Sequence, residues 1–157
     1  MQQLIHTFYE SFAALDAEAM VACYHDEIIF EDPAFGRLYG EKAKAMWRML
    51  LQSQQGKEFT VTHSQVEGNA KSGSAHWEAR YHFGKDKRPV HNRIEARFQF
   101  EDGKIIRHTD HFDLYAWSRQ AMGFSGWLMG WTDFFRKRLQ GATDKQLAAF
   151  LAKQQTR

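Results

Sequence analysis

Residues 92–105 read Asn-Arg-Ile-Glu-Ala-Arg-Phe-Gln-Phe-Glu-Asp-Gly-Lys-Ile, and every second side chain from Ile94 to Phe100 is apolar. This alternation has the period of a β-strand with one buried face. The segment Glu101-Asp102-Gly103-Lys104 has the composition of a hairpin turn. The run therefore predicts two antiparallel strands, the second extending from Ile105 to about Asp113.

Two more strands are predicted directly before this hairpin. Residues 59–66 are rich in β-branched and polar residues and are followed by Gly68-Asn69. In residues 74–83 large side chains occupy both alternating sets, so the sequence does not decide which face is buried. One set contains Arg80 and His82, and the other contains Trp77, Tyr81 and Phe83.

The N-terminal third of the chain is predicted to be mainly helical. Apolar residues recur every three or four positions from Leu4 to Leu15, which indicates an amphipathic helix. Asp16 could cap a short second helix carrying Met20, Cys23 and Tyr24, and a third helix is expected from about Gly40 to Gln54. Helices segregated from an antiparallel sheet define an α+β domain.

Between these helices, residues 28–33 read Ile-Ile-Phe-Glu-Asp-Pro. The β-branched residues and Phe30 predict a strand that ends at Pro33. The strand carries Asp32 toward apolar neighbours, where the charged form of a carboxyl is disfavoured and its pKa rises toward that of a useful general base. A turn acid that accepts backbone hydrogen bonds is the alternative for Asp32.

The bulk composition limits the function classes. The chain has 157 residues, a formal charge of +2 and one cysteine, which excludes an internal disulfide. Its basic residues are scattered, apart from the short cluster Arg136-Lys137-Arg138, so no nucleic-acid partner is expected. A signal peptide and a long apolar segment are not found in the sequence, and a cytoplasmic location is expected. His108 and His111 point to opposite faces of a strand, so no metal site is expected.

The C-terminal segment from residue 123 to 157 is unusually aromatic. It is predicted to form one apolar helix ending at Gly141, and then a last helix capped by Thr143. Three interpretations remain open. The segment could pack on its own domain or on a partner subunit, or it could close the mouth of a pocket. It could also lie on a membrane, because Trp127 and Trp131 precede Arg136-Lys137-Arg138.

Several short phrases, in this order and spacing, resemble the nuclear transport factor 2-like superfamily in its ketosteroid isomerase and SnoaL-like branch. They are Phe12-Ala13-Ala14-Leu15-Asp16, Phe30-Glu31-Asp32-Pro33, Tyr39-Gly40, residues 98–105 and Asp110-His111-Phe112-Asp113. The resemblance covers residues 1–122. It implies a cone in which a curved antiparallel sheet, closed by N-terminal helices, surrounds a pocket, and a homodimer formed through the outer face of the sheet. Residues 123–157 are a helical extension.

The comparison with ketosteroid isomerases implies a catalytic role for Asp32, which matches their proton-abstracting Asp. Those enzymes also use a Tyr on the first helix and a protonated Asp on a later strand as an oxyanion hole. In this sequence Phe12 stands at the position of that Tyr. The position of the protonated Asp falls on Ala96, or on Glu95 if the turn is aligned without a gap. Ala96 is preferred because it is in phase with Phe98. An oxyanion hole of that type is therefore not expected.

The limonene-epoxide hydrolase branch implies a different assignment. Asp110 matches its proton-donating Asp, and Arg80 matches its Arg, whereas His82 replaces an acid. That branch has Asn at the position of Asp32 and Tyr at the position of Phe30. The sequence thus combines parts of two known sites.

Together these comparisons nominate a pocket. The expected catalytic residues are Asp32, Asp110 and His108, and the expected substrate contacts are Phe30, Trp47, Trp77, Arg80, His82, Phe98 and Phe112. A purely structural role is the alternative for Asp110, as a buried partner of Arg80, and for His108, as a satisfied core histidine. The predicted function is cofactor-independent acid–base chemistry of the isomerase, cyclase or hydrolase type on a small hydrophobic molecule. The alternative is a non-catalytic ligand-binding or protein-interaction module.

Overall fold

The computed structural model describes residues 1–156, and a single curved sheet forms its framework. The six strands are β1 (Tyr24–Asp32), β2 (Gly36–Tyr39), β3 (Thr60–Gly68), β4 (Ser72–Phe83), β5 (Arg88–Glu101) and β6 (Lys104–His111). Their order across the sheet is β2-β1-β6-β5-β4-β3. The six helices are α1 (Gln2–Ala13), α2 (Ala17–Val21), α3 (Gly40–Gln54), α4 (Leu114–Met122), α5 (Phe124–Met129) and α6 (Asp133–Gln155). The α+β fold is as predicted.

The strand pairing confirms the predicted meander and adds two features. Strands β3 to β6 pair antiparallel in chain order. Strand β1, however, lies parallel to β6, so the sheet is mixed and not purely antiparallel. Strand β2 folds back on β1 as a short hairpin that the sequence analysis did not predict. Gly36 and Gly40, both at positive φ, frame this hairpin strand.

The second helix is shorter than predicted. Asp16 caps it as expected, accepting a hydrogen bond from the Ala19 N–H at 3.0 Å, but the helix ends at Val21. Tyr24 therefore does not belong to a helical face and instead begins β1, paired with Ile105 of β6. The helical spacing of Met20 and Tyr24 was misleading because the sheet pairing outweighs the local pattern.

The core lies between the helices and one face of the sheet. Helix α1 buries Ile5, Phe8, Tyr9 and Phe12, and α3 buries Met46, Trp47 and Leu51. On the sheet, Trp77, Ile94 and Phe98 point to the same side as these helices, and Ile94 and Phe98 are in the alternating phase that the sequence predicted. Each fully buried apolar side chain contributes about 1.5–3 kcal/mol to folding.

The C-terminal extension differs from the prediction at Gly141. Helix α6 begins after Thr132, whose hydroxyl accepts a hydrogen bond from the Phe135 N–H, and it runs through Gly141 without a break. A glycine inside a helix costs only about 1 kcal/mol, so it does not by itself end one. The far half of α6 packs on the domain through Leu147, which is fully buried. No helix among the described residues is long and apolar enough to cross a membrane.

Candidate functional site

Asp32 and Asp110 occupy the same face of the sheet on neighbouring strands. Phe30 of β1 pairs with His108 of β6, and Glu31 pairs with Thr109. One step further along both strands, Asp32 lies alongside Asp110. Phe30 and His108 are both fully buried, and because side chains alternate along a strand, residues two positions on share their face. The fold therefore brings the two predicted acids together.

The Asp32 carboxyl is held by the turn that follows it. Its Oδ1 accepts hydrogen bonds from the backbone N–H of Ala34 at 2.9 Å and of Phe35 at 2.6 Å. The turn-acid interpretation is thus correct for this oxygen. Oδ2 accepts no hydrogen bond from residues 1–156, so its lone pairs have no partner among the described residues.

The surroundings of Asp32 give it a proton affinity suited to exchange near neutral pH. Burial raises the pKa of Asp32 to about 7, and the negative charge of Asp110 adds to the rise. The backbone N–H groups of Phe35 and Ala34 act in the opposite direction, because they stabilise the carboxylate. Asp32 as a whole residue is half-buried.

Asp110 is fixed by two side-chain donors. Nε2 of His108 lies 2.8 Å from its Oδ1, and the indole N–H of Trp77 donates to the same oxygen at 3.2 Å. Arg80 is the partner of Asp110 in the structural alternative that the sequence offers. Arg80 is exposed instead, so His108 and Trp77 take that place.

His108 continues the hydrogen-bonded chain away from Asp110. Its Nδ1 lies 2.6 Å from the hydroxyl of Tyr24, and that hydroxyl accepts the indole N–H of Trp47 at 2.8 Å. Burial raises the pKa of Tyr24 well above its usual value, so the phenol keeps its proton and donates it to Nδ1. Nε2 then carries the ring hydrogen that is donated to Asp110. All polar atoms of His108 are satisfied, as expected for a core histidine.

Aromatic rings enclose this chain of hydrogen bonds. The centroid of the His108 ring lies 4.6 Å from that of Phe98, 5.2 Å from that of Phe30 and 6.1 Å from that of Trp47. Of the five aromatic residues expected to contact a substrate, four, Phe30, Trp47, Trp77 and Phe98, are inside the fold. Phe112 is half-buried and packs where the main core meets a second cluster around Trp117.

Tyr9 is a candidate that the sequence analysis did not include. It is fully buried, and its hydroxyl has no hydrogen-bond partner within the described residues. Burial raises the pKa of Tyr9 well above its usual value, with a further contribution from the charge of Asp110, so the hydroxyl keeps its proton. Tyr9 follows Ile5 by four residues, so helical periodicity could have placed it on the buried face.

Arg80 and His82 do not line the interior. Trp77 and Ala79 are buried and Tyr81 is half-buried on the inner face of β4, so the pleat directs the residues between them outward. Arg80 and His82 are exposed there, and His82 lies 3.7 Å from the carboxylate of Glu58. Of the two alternatives left open for this strand, the structure therefore has the one with Trp77 and Tyr81 on the inner face, while Arg80 and His82 line an outer groove.

Tyr81 occupies the inner position that the sequence left undecided. Its hydroxyl accepts the indole N–H of Trp117 at 2.8 Å. Burial raises the pKa of Tyr81, and the charge of Asp32 adds to that rise. Tyr81 thus joins β4 to helix α4.

The C-terminal extension covers the turn that holds Asp32. The Gln140 amide donates to the carbonyl of Pro33 at 3.1 Å, and the Thr143 hydroxyl donates to the carbonyl of Ala34 at 2.9 Å. Thr143 is therefore a contact residue in the middle of α6, not a helix cap. Phe135 and Leu139 of the same helix pack on the cluster around Trp117.

Two open grooves lie outside this interior. One, of about 950 Å³, is lined by Glu95, Arg97, Arg107 and His111 among others. The other, of about 720 Å³, is lined by residues that include Tyr81, His82 and His91. Asp32 and Asp110 line neither groove. Within residues 1–156, no group of three or more His, Cys, Asp or Glu side chains could hold a metal ion.

The curved sheet, its covering helices and the enclosed acids define a nuclear transport factor 2-like cone of the SnoaL-like class. More specifically, the chain belongs to the family described as the SnoaL-like domain, whose model matches residues 5–108. No protein with curated annotation matches the sequence.

Solved structures show the same fold. A candidate polyketide cyclase from Xanthomonas campestris pv. campestris is 21% identical, with a TM-score of 0.61 over 76% of this chain and 94% of that one. An LEH-like epoxide hydrolase from M. tuberculosis is 22% identical, with a TM-score of 0.59 over 82% of this chain and 89% of that one. An NTF2-like protein of unknown function from Burkholderia pseudomallei is 16% identical, with a TM-score of 0.63 over 76% and 95%. At these identities the likeness concerns the fold alone.

Proposed function

We propose that this protein is a cofactor-independent acid–base enzyme that enolises a small hydrophobic carbonyl compound, in an isomerase- or cyclase-type reaction. The observation that carries the proposal is the pair of carboxyls, Asp32 and Asp110, side by side at the edge of an aromatic interior. Burial and the nearby charge of Asp110 both raise the pKa of Asp32, which suits this carboxyl to take up and return a proton near neutral pH.

Asp32 is the proposed base. Its Oδ1 is fixed by two backbone N–H groups, while Oδ2 is free to remove a proton from the carbon next to the carbonyl. The electron pair of that C–H bond forms the C=C bond of the enolate while the π pair of the C=O bond moves onto the carbonyl oxygen, and Asp32 then returns the proton to carbon at another position. A carboxyl with a pKa of about 7 is a stronger base than an ordinary aspartate and is still half ionised at neutral pH.

Tyr9 is the proposed donor to the developing enolate oxygen. A buried hydroxyl without a partner costs about 1–3 kcal/mol, a cost that a hydrogen bond to a ligand would remove. Asp110 has a supporting role: its charge raises the proton affinity of Asp32, and His108 and Trp77 hold it in place. The rings of Phe30, Trp47 and Phe98 favour an apolar substrate.

The test is proton exchange at a simple ketone. The wild-type protein in D₂O with β-tetralone should catalyse loss of the α-proton signal in NMR spectra, at a rate that rises with pH through about 7 as Asp32 ionises. Asp32→Asn should lower the rate by about 100-fold or more, the usual loss for a general base. Asp86→Asn, at an exposed turn, is the matched control and should exchange like wild type. Equal rates for wild type and Asp32→Asn would contradict the proposal.

The second candidate function is non-catalytic ligand binding. It is favoured by the fully satisfied hydrogen bonds of His108 and by the absence of Asp32 and Asp110 from both grooves. This function predicts that a hydrophobic dye such as anilinonaphthalene sulfonate binds wild type and Asp32→Asn equally, with no ketone exchange by either.

A further inference from the structure

Helix α5 packs in the reverse of the usual sense for a water-soluble protein, with small residues inward and large ones outward. Gly126 is buried against Ser118 of α4, and the Ser118 hydroxyl donates to the carbonyls of Tyr115 at 2.9 Å and of Gly126 at 3.3 Å. A Cβ at Gly126 or at Gly130 would overlap Ser118. The orientation of α5 is therefore fixed by close packing, not by its apolar side chains.

This orientation leaves a set of large apolar side chains, close together in the sequence, in solvent, and the rings of Phe124 and Trp127 stack with their centroids 5.9 Å apart. Phe124 is 75% exposed and Trp131 is 70% exposed. The complete set, called here the aromatic surface, is Met122, Phe124, Trp127, Leu128, Met129, Trp131 and Phe134. Soluble monomers rarely expose a large contiguous apolar patch, and such a patch marks an interaction site.

The charge around the aromatic surface is strongly positive. Residues 115–139 contain four basic side chains, Arg119, Arg136, Lys137 and Arg138, and a single acid, Asp133. This segment therefore carries +3, while the whole chain carries +2, so the remaining residues together carry −1. The positive charge of the protein is concentrated beside its exposed aromatic residues.

We propose that the aromatic surface docks on the interface of an anionic phospholipid membrane. Trp and Phe side chains insert at the headgroup level of a bilayer, and flanking Lys and Arg side chains pair with anionic lipids. A symmetric contact with a second copy of the chain is disfavoured, because it would bring two +3 segments together. The protein would lie on the bilayer and not cross it, in line with the lack of a spanning helix among the described residues. This proposal is independent of the enzymatic one.

The experiment is cosedimentation of the full-length protein with vesicles. We expect binding to vesicles of phosphatidylglycerol and phosphatidylcholine in equal amounts, and much weaker binding to phosphatidylcholine alone. Binding should shift tryptophan emission to the blue, because two of the five tryptophans, Trp127 and Trp131, are exposed before binding and the other three are buried.

Two variants separate the apolar and the electrostatic contributions. Trp127→Ser combined with Trp131→Ser should abolish the blue shift and reduce partitioning at least tenfold. The triple variant Arg136→Gln, Lys137→Gln and Arg138→Gln should reduce partitioning on the order of 100-fold, since each basic residue near an anionic surface contributes about 1 kcal/mol. The control Lys85→Gln with Lys87→Gln, on the exposed β4–β5 turn, should bind like wild type.

The same samples test membrane docking against a contact between two copies of the chain. If wild type fails to sediment with anionic vesicles, the proposal is overturned. If analytical ultracentrifugation then shows a dimer that the double Trp variant converts to a monomer, the occupant of the aromatic surface is a second copy. Equal sedimentation of wild type and both variants would also overturn it, because binding would then not depend on this surface.

Discussion

Nε2 of His108 lies 2.8 Å from Oδ1 of Asp110, and both side chains are withdrawn from solvent. The opposite ring nitrogen lies 2.6 Å from the hydroxyl of Tyr24, so the imidazole links a carboxylate to a phenol inside an aromatic core. Removing any member would leave buried polar atoms without a partner. Mutations of these residues should therefore have non-additive effects on the free energy of unfolding.

Replacing His108 by Phe should destabilise the fold by about 3–5 kcal/mol, because it leaves the Asp110 carboxylate buried with only Trp77 as a donor. The double variant His108→Phe with Asp110→Leu should cost less than the sum of the two single variants. Urea unfolding of all four proteins gives the coupling free energy. Additive effects would show that the two side chains do not act as a pair.

The two interior tyrosines should differ in their contribution to stability. Tyr9→Phe removes a hydroxyl without a partner, so the free energy of unfolding should stay within about 0.5 kcal/mol of wild type or rise. Tyr24→Phe removes an acceptor for Trp47 and a donor to His108, and should cost about 1–3 kcal/mol. Parallel urea titrations make the comparison. A large loss on Tyr9→Phe would mean that its hydroxyl has a structural partner.

Asp32→Asn should change the pH dependence of stability. The pKa of Asp32 is about 7 in the folded protein and about 3.9 when unfolded, so the folded state holds the proton more tightly. Its contribution to stability is therefore complete below about pH 4 and is lost as the pH rises through about 7. The loss is on the order of 4 kcal/mol.

Asn stays neutral and can still accept both turn hydrogen bonds at Oδ1, so the variant should match wild type in acid and exceed it above neutrality. Free energies of unfolding, measured for both proteins from acid pH to above neutrality, test whether Asp32→Asn is the more stable protein at high pH. Asp86→Asn provides a control for removal of an exposed carboxylate. Parallel pH curves for wild type and Asp32→Asn would be inconsistent with a raised pKa.

Gly141→Ala should stabilise the protein by about 1 kcal/mol. Gly141 lies inside α6, its φ is not positive, and a Cβ there would meet nothing within 4 Å. Gly126→Ala is the contrasting variant and should destabilise, because its Cβ would overlap the backbone of Ser118. Thermal unfolding of both variants shows whether each substitution raises or lowers the stability of the protein. Destabilisation by Gly141→Ala would indicate that the helix does break there.

Much of the fold was predictable because alternation and turn chemistry are local properties. Strands β4, β5 and β6 follow from period-two patterns and the turn at Gly103. The inward orientation of Ala96, opposite Asp110, follows from its phase with Phe98. In contrast, the helical spacing of Tyr24 and the glycine at 141 were misleading, since both local signals were outweighed by tertiary contacts.

The candidate site was predictable in part for the same reason. Asp32, His108 and Asp110 could be named from the resemblance and from strand phase, and the structure brings them together. The orientation of β4 could not be predicted, because its two faces carry equally large side chains, so the sequence left open whether Arg80 or Tyr81 faces the interior. Tyr9 was overlooked because its lack of a partner is a property of the packed interior alone.

The sequence by itself determined the α+β class, the strand that carries Asp32 and the aromatic composition of the C-terminal extension. These depend on interactions between residues near one another in the chain. Only the tertiary structure decided that Asp32 lies beside Asp110, that His108 links Asp110 to Tyr24, and that α5 presents its large side chains to solvent. Those relationships join residues distant in the chain, and their geometry is set by strand pairing and close packing, which no local pattern encodes.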